Sequence, residues 1–403
     1  MKIGFYLDNS GFKDVSFLQP ELGNPGVGGT QFMISQISYY YAKNFEEDQV
    51  WVFAPYTDKI SSQTNNIKAE SLGEALNKAD ELKLDYFVCR AVGDDKIFDL
   101  IEMLSLKVVF WGHNYVSFKD AFKISKCKSI TQYVCVSREQ CKYLQGHPLA
   151  KKATYIYNSI NTELYNVSNV DDRLDSLCYV GSIIKTKGFE KAAEIWRRLH
   201  DQGYSLSFEV VGSGRLYNRN AKLGTYGIAD ESYEKEFIKF LIDKNGKILP
   251  QVHFHGVLGG EEKLDVMARC AVGIVNPTGE TETFGISAIE FEAMGIPVVT
   301  RDTGGFRNVV ETEKTGFLCN EIDQFVEKIK LLLTWKHDNN KQYAKMCVEG
   351  NKFIKENFDT QKVVSEWHEL FHSTKKFIKE RKLPSAGLSE KGANIVDMIL
   401  YRH

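Results

Sequence analysis

The feature that most constrains this chain is a rhythm: short apolar runs of five to seven residues alternate with helix-period segments along most of its length. Runs this apolar are buried on both faces, and helical segments between them act as crossovers, so the pattern predicts parallel sheets covered by helices. The strand candidates in the first half are KIGFYL, QVWVFA, DYFVC, KVVFW, YVCVS and TYIYN. LCYVG, LSFEVVG, VHFHG, VGIVNP and IPVVT repeat the scheme in the second half. Between them, FEKAAEIWRRLHDQG places Phe189, Ala192, Trp196 and Leu199 three and four residues apart, with Gly203 as a stop.

At 403 residues the chain is too long for one ordinary core. Two doubly wound halves are expected, and polar residues at 161–176 interrupt the rhythm between them. Ligands of such sheets bind beyond the carboxyl ends of the strands, so chemistry-bearing residues should follow strands. The net charge of −2 disfavours a nucleic-acid partner. The start MKIGFYLDNSGFKD reads as strand and loop rather than a leader, and no apolar run is long enough to span a bilayer. Eight scattered cysteines read as reduced, buried small hydrophobes, which suits a cytoplasmic setting.

Four stretches after strands carry candidate chemistry. The loop GNPGVGG brings Gly28 and Gly29 to a helix starting near Thr30, where backbone approaches a ligand closely. WGHN puts His113 at a strand end. YVGSIIKTKGF gathers Ser182, Lys185 and Lys187 at a strand-to-helix turn, a set of a hydroxyl and two ammonium groups suited to a diphosphate. Finally, NPTGETETFGISAIEFEAMG sets Glu282 in a loop and Glu290 inside the helix opened by Gly285. The amides at that helix start suit a phosphate, and a carboxylate accepts paired hydroxyls. Glu292 reads as a solvated helix face.

The run from Glu282 to Glu290, followed by AMGIPVV and GG, resembles the E-x7-E signature of the retaining nucleotide-sugar glycosyltransferases of family four, the glycosyl transferases group 1. VCVS, YNSIN, FEVVGSG and TGFLC follow in that family's order, so the resemblance covers about residues 1–375. It implies an α/β GT-B fold, in which two facing Rossmann-like parallel-sheet domains border a deep cleft. The implied division is 1–168 on the acceptor side, 169–358 binding the donor, and 359–403 as a returning helix and tail.

The resemblance further implies that Glu290 binds ribose hydroxyls and that Glu282, with the amides of Thr283, Phe284 and Gly285, holds the donor sugar and its phosphates. Lys187 would neutralise the departing diphosphate, Gly28 and Gly29 would approach donor and acceptor, and His113 would touch the donor sugar. The base would rest between Gly212–Gly214 and Val257. Two departures stand out. Ser182 replaces the family's usual Arg, for which Lys185 is the expected substitute, and Arg307 and Asn308 replace a usual Pro and Glu.

The implied reaction transfers a sugar with retention from a UDP- or GDP-sugar to a saccharide or lipid-linked glycan, as in capsule or lipopolysaccharide synthesis. With no Asp-x-Asp in the chain, a metal-independent front-face route is expected, with no cofactor besides the donor. A nucleotide-sugar epimerase or hydrolase of the same fold is an alternative. Residues 119–152 hold eight Lys/Arg against two acids, and KKFIKERK at 375–382 adds another basic run, leaving room for peripheral contact with an anionic inner membrane face. HELFH at 368–372 matches H-E-x-x-H, a zinc metalloprotease pattern with His368 and His372 as ligands and Glu369 as base; no third ligand is evident from the sequence. His253 and His255 alternate along one strand with no acid partner evident.

Overall fold

A computed structural model describes residues 1–167, 169–373 and 388–400. The chain forms two compact units. The first comprises 1–21, 29–159 and 360 onward; the second comprises 22–28 and 160–359.

The first unit is built on seven parallel strands: β1 (Lys2–Tyr6), β2 (Gln49–Ala54), β3 (Asn65–Lys68), β4 (Tyr86–Arg90), β5 (Lys107–Gly112), β6 (Ile130–Cys135) and β7 (Ala153–Tyr155). Their order is β3-β2-β1-β4-β5-β6-β7. The second has six parallel strands: β8 (Leu174–Val180), β9 (Ser207–Val211), β10 (Val252–Gly256), β11 (Cys270–Val275), β12 (Val298–Arg301) and β13 (Gly316–Cys319), in the order β10-β9-β8-β11-β12-β13. Each sheet grows outward in one direction, returns to its first strand and grows the other way. The order therefore reverses between β1 and β4 and again between β8 and β11. Adjacent loops part at such a reversal, which opens a crevice at the strands' carboxyl ends.

Every apolar run expected as a strand is one. The central strands are legible because both faces are covered: all six residues of β11 are buried. β3 and β13 were not foreseen as strands. Both lie at sheet edges, and β3 has the sequence NNIK, with no buried residue to give it an apolar signature. The predicted face of the helix Phe189–Asp201 is buried throughout, with Phe189, Ala192, Trp196 and Leu199 all at 0% exposure. Burying each large side chain contributes about 1.5–3 kcal/mol. All eight cysteines are free, and only Cys141 is not fully buried.

The chain changes unit at Ser159/Ile160, ahead of the boundary expected at 168/169. The polar segment is not a loose connector because its large side chains are anchored in the second unit. The Tyr165 hydroxyl donates to Glu290 at 3.1 Å, and the buried Arg173 guanidinium donates to the carbonyls of Gly295 (2.7 Å) and Met294 (2.9 Å).

Candidate functional site

The two loops that leave β8 and β11, on either side of the second sheet's reversal point, meet. After β8 the backbone makes a single tight turn, Lys185–Lys187. The buried Tyr179 hydroxyl fixes the shape of this loop by donating to the carbonyls of both Ser182 and Lys187, each at 3.1 Å. Lys187 is thereby held against the β11 loop, where its Nζ donates to Glu282 Oε2 at 2.7 Å.

Glu282 is further defined by the strand that feeds it. Asn276, the residue after β11, donates from its side-chain amide to Glu282 Oε2 at 3.2 Å, and the backbone N–H of Phe284 also donates to the Glu282 carboxylate. Burial disfavours the charged carboxylate, but Lys187, Asn276 and that amide outweigh burial and hold the Glu282 pKa below its ordinary value. Burial likewise opposes charge on Lys187, and Glu282 overcomes it, raising the ammonium's pKa. Both groups are charged at neutral pH.

The helix Ile286–Ala293 starts directly beside this pair, with Gly285 as its N-cap at φ 103°. A side chain there would lie 2.7 Å from the Phe306 ring, so this turn needs glycine. Glu290 sits on the helix's second turn, only 2% exposed. Its Oε1 accepts from Lys263 Nζ at 2.6 Å and from the Tyr165 hydroxyl at 3.1 Å. The sequence-expected Lys187 and Glu282 are thus paired beside the Thr283–Gly285 helix start, while Glu290, on the second turn of that helix, is held by Lys263 and Tyr165.

Residues 161–350 match the family Glycosyl transferases group 1. An uncharacterised glycosyltransferase of Methanocaldococcus jannaschii is 25% identical over 234 residues, 57% of this chain and 56% of that protein. The Staphylococcus aureus capsular polysaccharide biosynthesis glycosyltransferase CapM is 26% identical over 206 residues, 50% of this chain and 46% of that one. Among solved structures, Anabaena HepE in complex with UDP-glucose superposes with a TM-score of 0.66 at 16% identity, covering 92% of this chain and 98% of that one. Residues 161–350 of the chain are thus similar to the group 1 glycosyl transferases. Its fold is GT-B. The matched region spans about half the length of the two curated relatives, 56% and 46%.

Other residues of the chain fall differently from expectation. Lys185 does not join Lys187: it is largely exposed and donates to Glu236 Oε1 at 3.0 Å, so it supplies no second cation beside Glu282. Ser182 is buried, its hydroxyl reaching the Ser213 carbonyl only at 3.5 Å. Glu292 corrects the reading of a solvated face. It is fully buried, accepts from the Thr315 hydroxyl at 2.9 Å, and burial drives its pKa well above the usual carboxylate value. Arg307 pairs with Asp302 at 2.7 Å.

Gly212 and Gly214 close the crevice on the β9 side. The N–H of Gly212 donates to the Gly256 carbonyl at 2.7 Å, and a side chain on Gly212 would lie 1.8 Å from the Gly181 carbonyl oxygen. Only glycine lets three strand ends converge there. Val257 follows β10 and lies against Gly26, whose carbonyl accepts from Arg219 Nη2 at 2.6 Å. The segment Leu22–Gly28 therefore belongs to the second unit, so that Gly28 is counted there and Gly29 begins the first unit's helix Gly29–Asn44. His113 directly follows β5 in the first unit. Burial, with Arg90 nearby, pushes its pKa down to about 3, so the imidazole is neutral; its ring lies 4.6 Å from that of Trp111.

Sequence reasoning missed Lys263, Tyr165 and Asn276. A lysine in GEEKLDVM looks like any solvated helical lysine, and Tyr165 lay in a segment read as linker. Asn276 ends the apolar run VGIVN, and nothing in the string says which way its amide turns. His253 and His255 do have an acid: Glu209 on the neighbouring β9 accepts from both, at 2.8 and 2.7 Å.

Proposed function

We propose that this protein transfers a glycosyl unit, with retained anomeric configuration, from a UDP- or GDP-sugar to a saccharide or lipid-linked glycan in cell-surface polysaccharide synthesis. The observation that carries the reading is the Lys187–Glu282 pair, 2.7 Å apart, beside the helix start at Gly285. In transfer, the bond from the anomeric carbon to the donor phosphate oxygen breaks and one to the acceptor oxygen forms; the acceptor's proton passes to the leaving phosphate. Negative charge grows on the diphosphate, and the Lys187 ammonium and the amides of Thr283–Gly285 are the groups suited to stabilise it. No protein base and no metal are required by this route. Glu290 binds ribose hydroxyls, aided by Lys263, which fixes its carboxylate. The base rests between Gly212–Gly214 and Val257, with Gly28, Gly29 and neutral His113 serving the sugar and acceptor.

Support for the donor class comes from the family, and HepE was solved with UDP-glucose. CapM's role in capsular polysaccharide synthesis supports the acceptor class. A screen of UDP- and GDP-sugars, with acceptor extracts added or omitted, tests it. We expect nucleoside diphosphate release that depends on acceptor. Release without acceptor would point to the hydrolase alternative, and no release with any donor would reject the proposal.

The chain is further proposed to act in the cytoplasm at the inner membrane face. Among residues 119–152, Phe122 is 44% exposed with the Lys126 ammonium 5.2 Å from its ring. Two other cations there are already engaged: Lys123 pairs with Asp95, and Lys152 donates to the carbonyl of Ile124 at 3.2 Å. No described helix is long and apolar enough to cross a membrane. The run 375–382 lies outside the described residues. Salt-sensitive flotation with anionic liposomes is expected, and none at low salt would reject this part.

A further inference from the structure

The HELFH run forms the end of the helix Thr360–His372, in the first unit, whereas Lys187, Glu282 and the Gly285 helix start belong to the second. Its two histidines stack, with centroids 4.1 Å apart and planes 25° apart, and the His368 ring also stacks on Phe45 at 3.9 Å. Facing them is Asp48, in the turn before β2, its side chain at 0% exposure. Asp48 Oδ2 lies 2.7 Å from His372 Nε2 and accepts from the Tyr41 hydroxyl at 2.7 Å, while the Met1 amino group donates to Oδ1. His368 Nε2 is buried without a hydrogen bond, with Glu47 Oε1 3.5 Å away. One ligating atom each from Asp48, His368 and His372 lies within 4.8 Å of the others.

Two imidazoles four residues apart on one helix, opposed by a buried carboxylate, form a donor set of the type that zinc accepts. Bonds of about 2.0–2.2 Å to a tetrahedral ion set its ligand atoms roughly 3.3 Å apart. Here the Asp48–His372 contact has to widen slightly, and His368, whose Nε2 no hydrogen bond restrains, has to close in. The Tyr41 hydroxyl already provides the outer bond that orients a ligating carboxylate. We propose that Asp48, His368 and His372 bind a zinc-class divalent cation, with Glu47 as the fourth ligand, fastening the returning helix to the turn before β2.

The role is structural. The chain leaves this unit at Ser159 and re-enters at Thr360, so the helix is held by packing of Val363, Val364, Trp367, Leu370 and Phe371 rather than by a short connection. A metal bridge joins residues 324 apart in sequence, where restricting the unfolded chain has its largest effect. Glu369, the base of the hydrolytic reading, is exposed. Without metal, the Asp48–His372 hydrogen bond keeps the turn satisfied, so the stripped protein remains folded.

The test uses full-length protein carrying no histidine tag, stripped with chelator and dialysed against Zn2+. Elemental analysis is expected to give about one zinc per chain, and zinc at a hundredfold excess over Kd to raise the unfolding midpoint by about 5 °C. His368→Gln, which removes no hydrogen bond, should melt like the stripped wild type and lose both zinc and the shift. The exposed Glu47→Gln should weaken zinc binding about tenfold while leaving the fold intact. Less than about 0.1 zinc per chain, or a zinc shift that survives both substitutions, would overturn the site.

Discussion

Lys187 and Glu282 are 95 residues apart in the chain and 2.7 Å apart in space. Each would be costly to bury alone; together they form a charged pair beside the Gly285 helix start, in a place where a diphosphate would find a cation and the positive end of a helix. The same contact means that, before donor arrives, the cation is already partly neutralised and one amide, that of Phe284, is turned to Glu282. Donor binding on this reading exchanges a carboxylate for phosphate oxygens.

Lys187→Ala should therefore lower turnover a hundred- to thousand-fold, the usual effect of losing one charge-stabilising group, with a smaller change in donor KM. Steady-state kinetics with the donor found in the screen check this. Equal turnover in the variant would remove Lys187 from the leaving-group role.

The pH dependence of the pair has a definite sign. Glu282 is depressed below 4.5, so its contribution is complete above that value and is lost as pH falls through its lowered pKa. Lys187 is raised above 10.5, so its contribution is complete below that value and is lost only as pH rises through the raised pKa. Donor affinity should be flat across neutrality, and Glu282→Gln should abolish the acid limb. Isothermal titration from pH 4 to 9 reads it out.

Glu292 should behave in the opposite way. Its carboxyl is raised well above 4.5 by burial, so the stability it contributes is complete below pH 4.5 and is lost as pH rises toward the folded pKa, by up to about 1.4 kcal/mol per pH unit. Glu292→Gln keeps an acceptor for the Thr315 hydroxyl and removes that slope. At pH 8 the variant should melt above the wild type, and a lower midpoint would show that the acid is ionised in the fold.

Lys263→Met should destabilise the protein by about 3–5 kcal/mol, since it leaves the Glu290 carboxylate buried with the Tyr165 hydroxyl as its remaining described partner. Combining it with Glu290→Gln should recover much of the loss. Urea unfolding of both single variants and the double checks the coupling, and simple additivity would refute it.

Gly212→Ala should prevent normal closure of the β8–β9–β10 ends, because the new methyl would lie 1.8 Å from a backbone oxygen that cannot move aside. Gly11→Ala, which meets nothing within 4 Å, serves as the control and should change stability by less than about 0.5 kcal/mol. Soluble yield and the thermal midpoint of the two variants distinguish them.

The sequence by itself determined the layered α/β architecture, because a strand covered on both faces must be apolar along its whole length and β11, for example, can be nothing else. It also singled out Lys187, Glu282, Gly285 and Glu290 as candidates, since loops that follow parallel strands converge on one edge whatever the packing details. Tertiary structure alone decided which charges pair. Lys185 and Lys187 are two residues apart in one turn, yet one meets Glu236 at the surface and the other Glu282; Glu290 and Glu292 share a helix, yet one is gripped by Lys263 and the other accepts from Thr315 with its pKa raised by burial. Asp48 and His372, 324 residues apart, meet only because the chain comes back to its first sheet. Hydrophobic periodicity is local and can be read along the string, whereas the electrostatic state of a side chain depends on what other segments bring within a few ångströms of it.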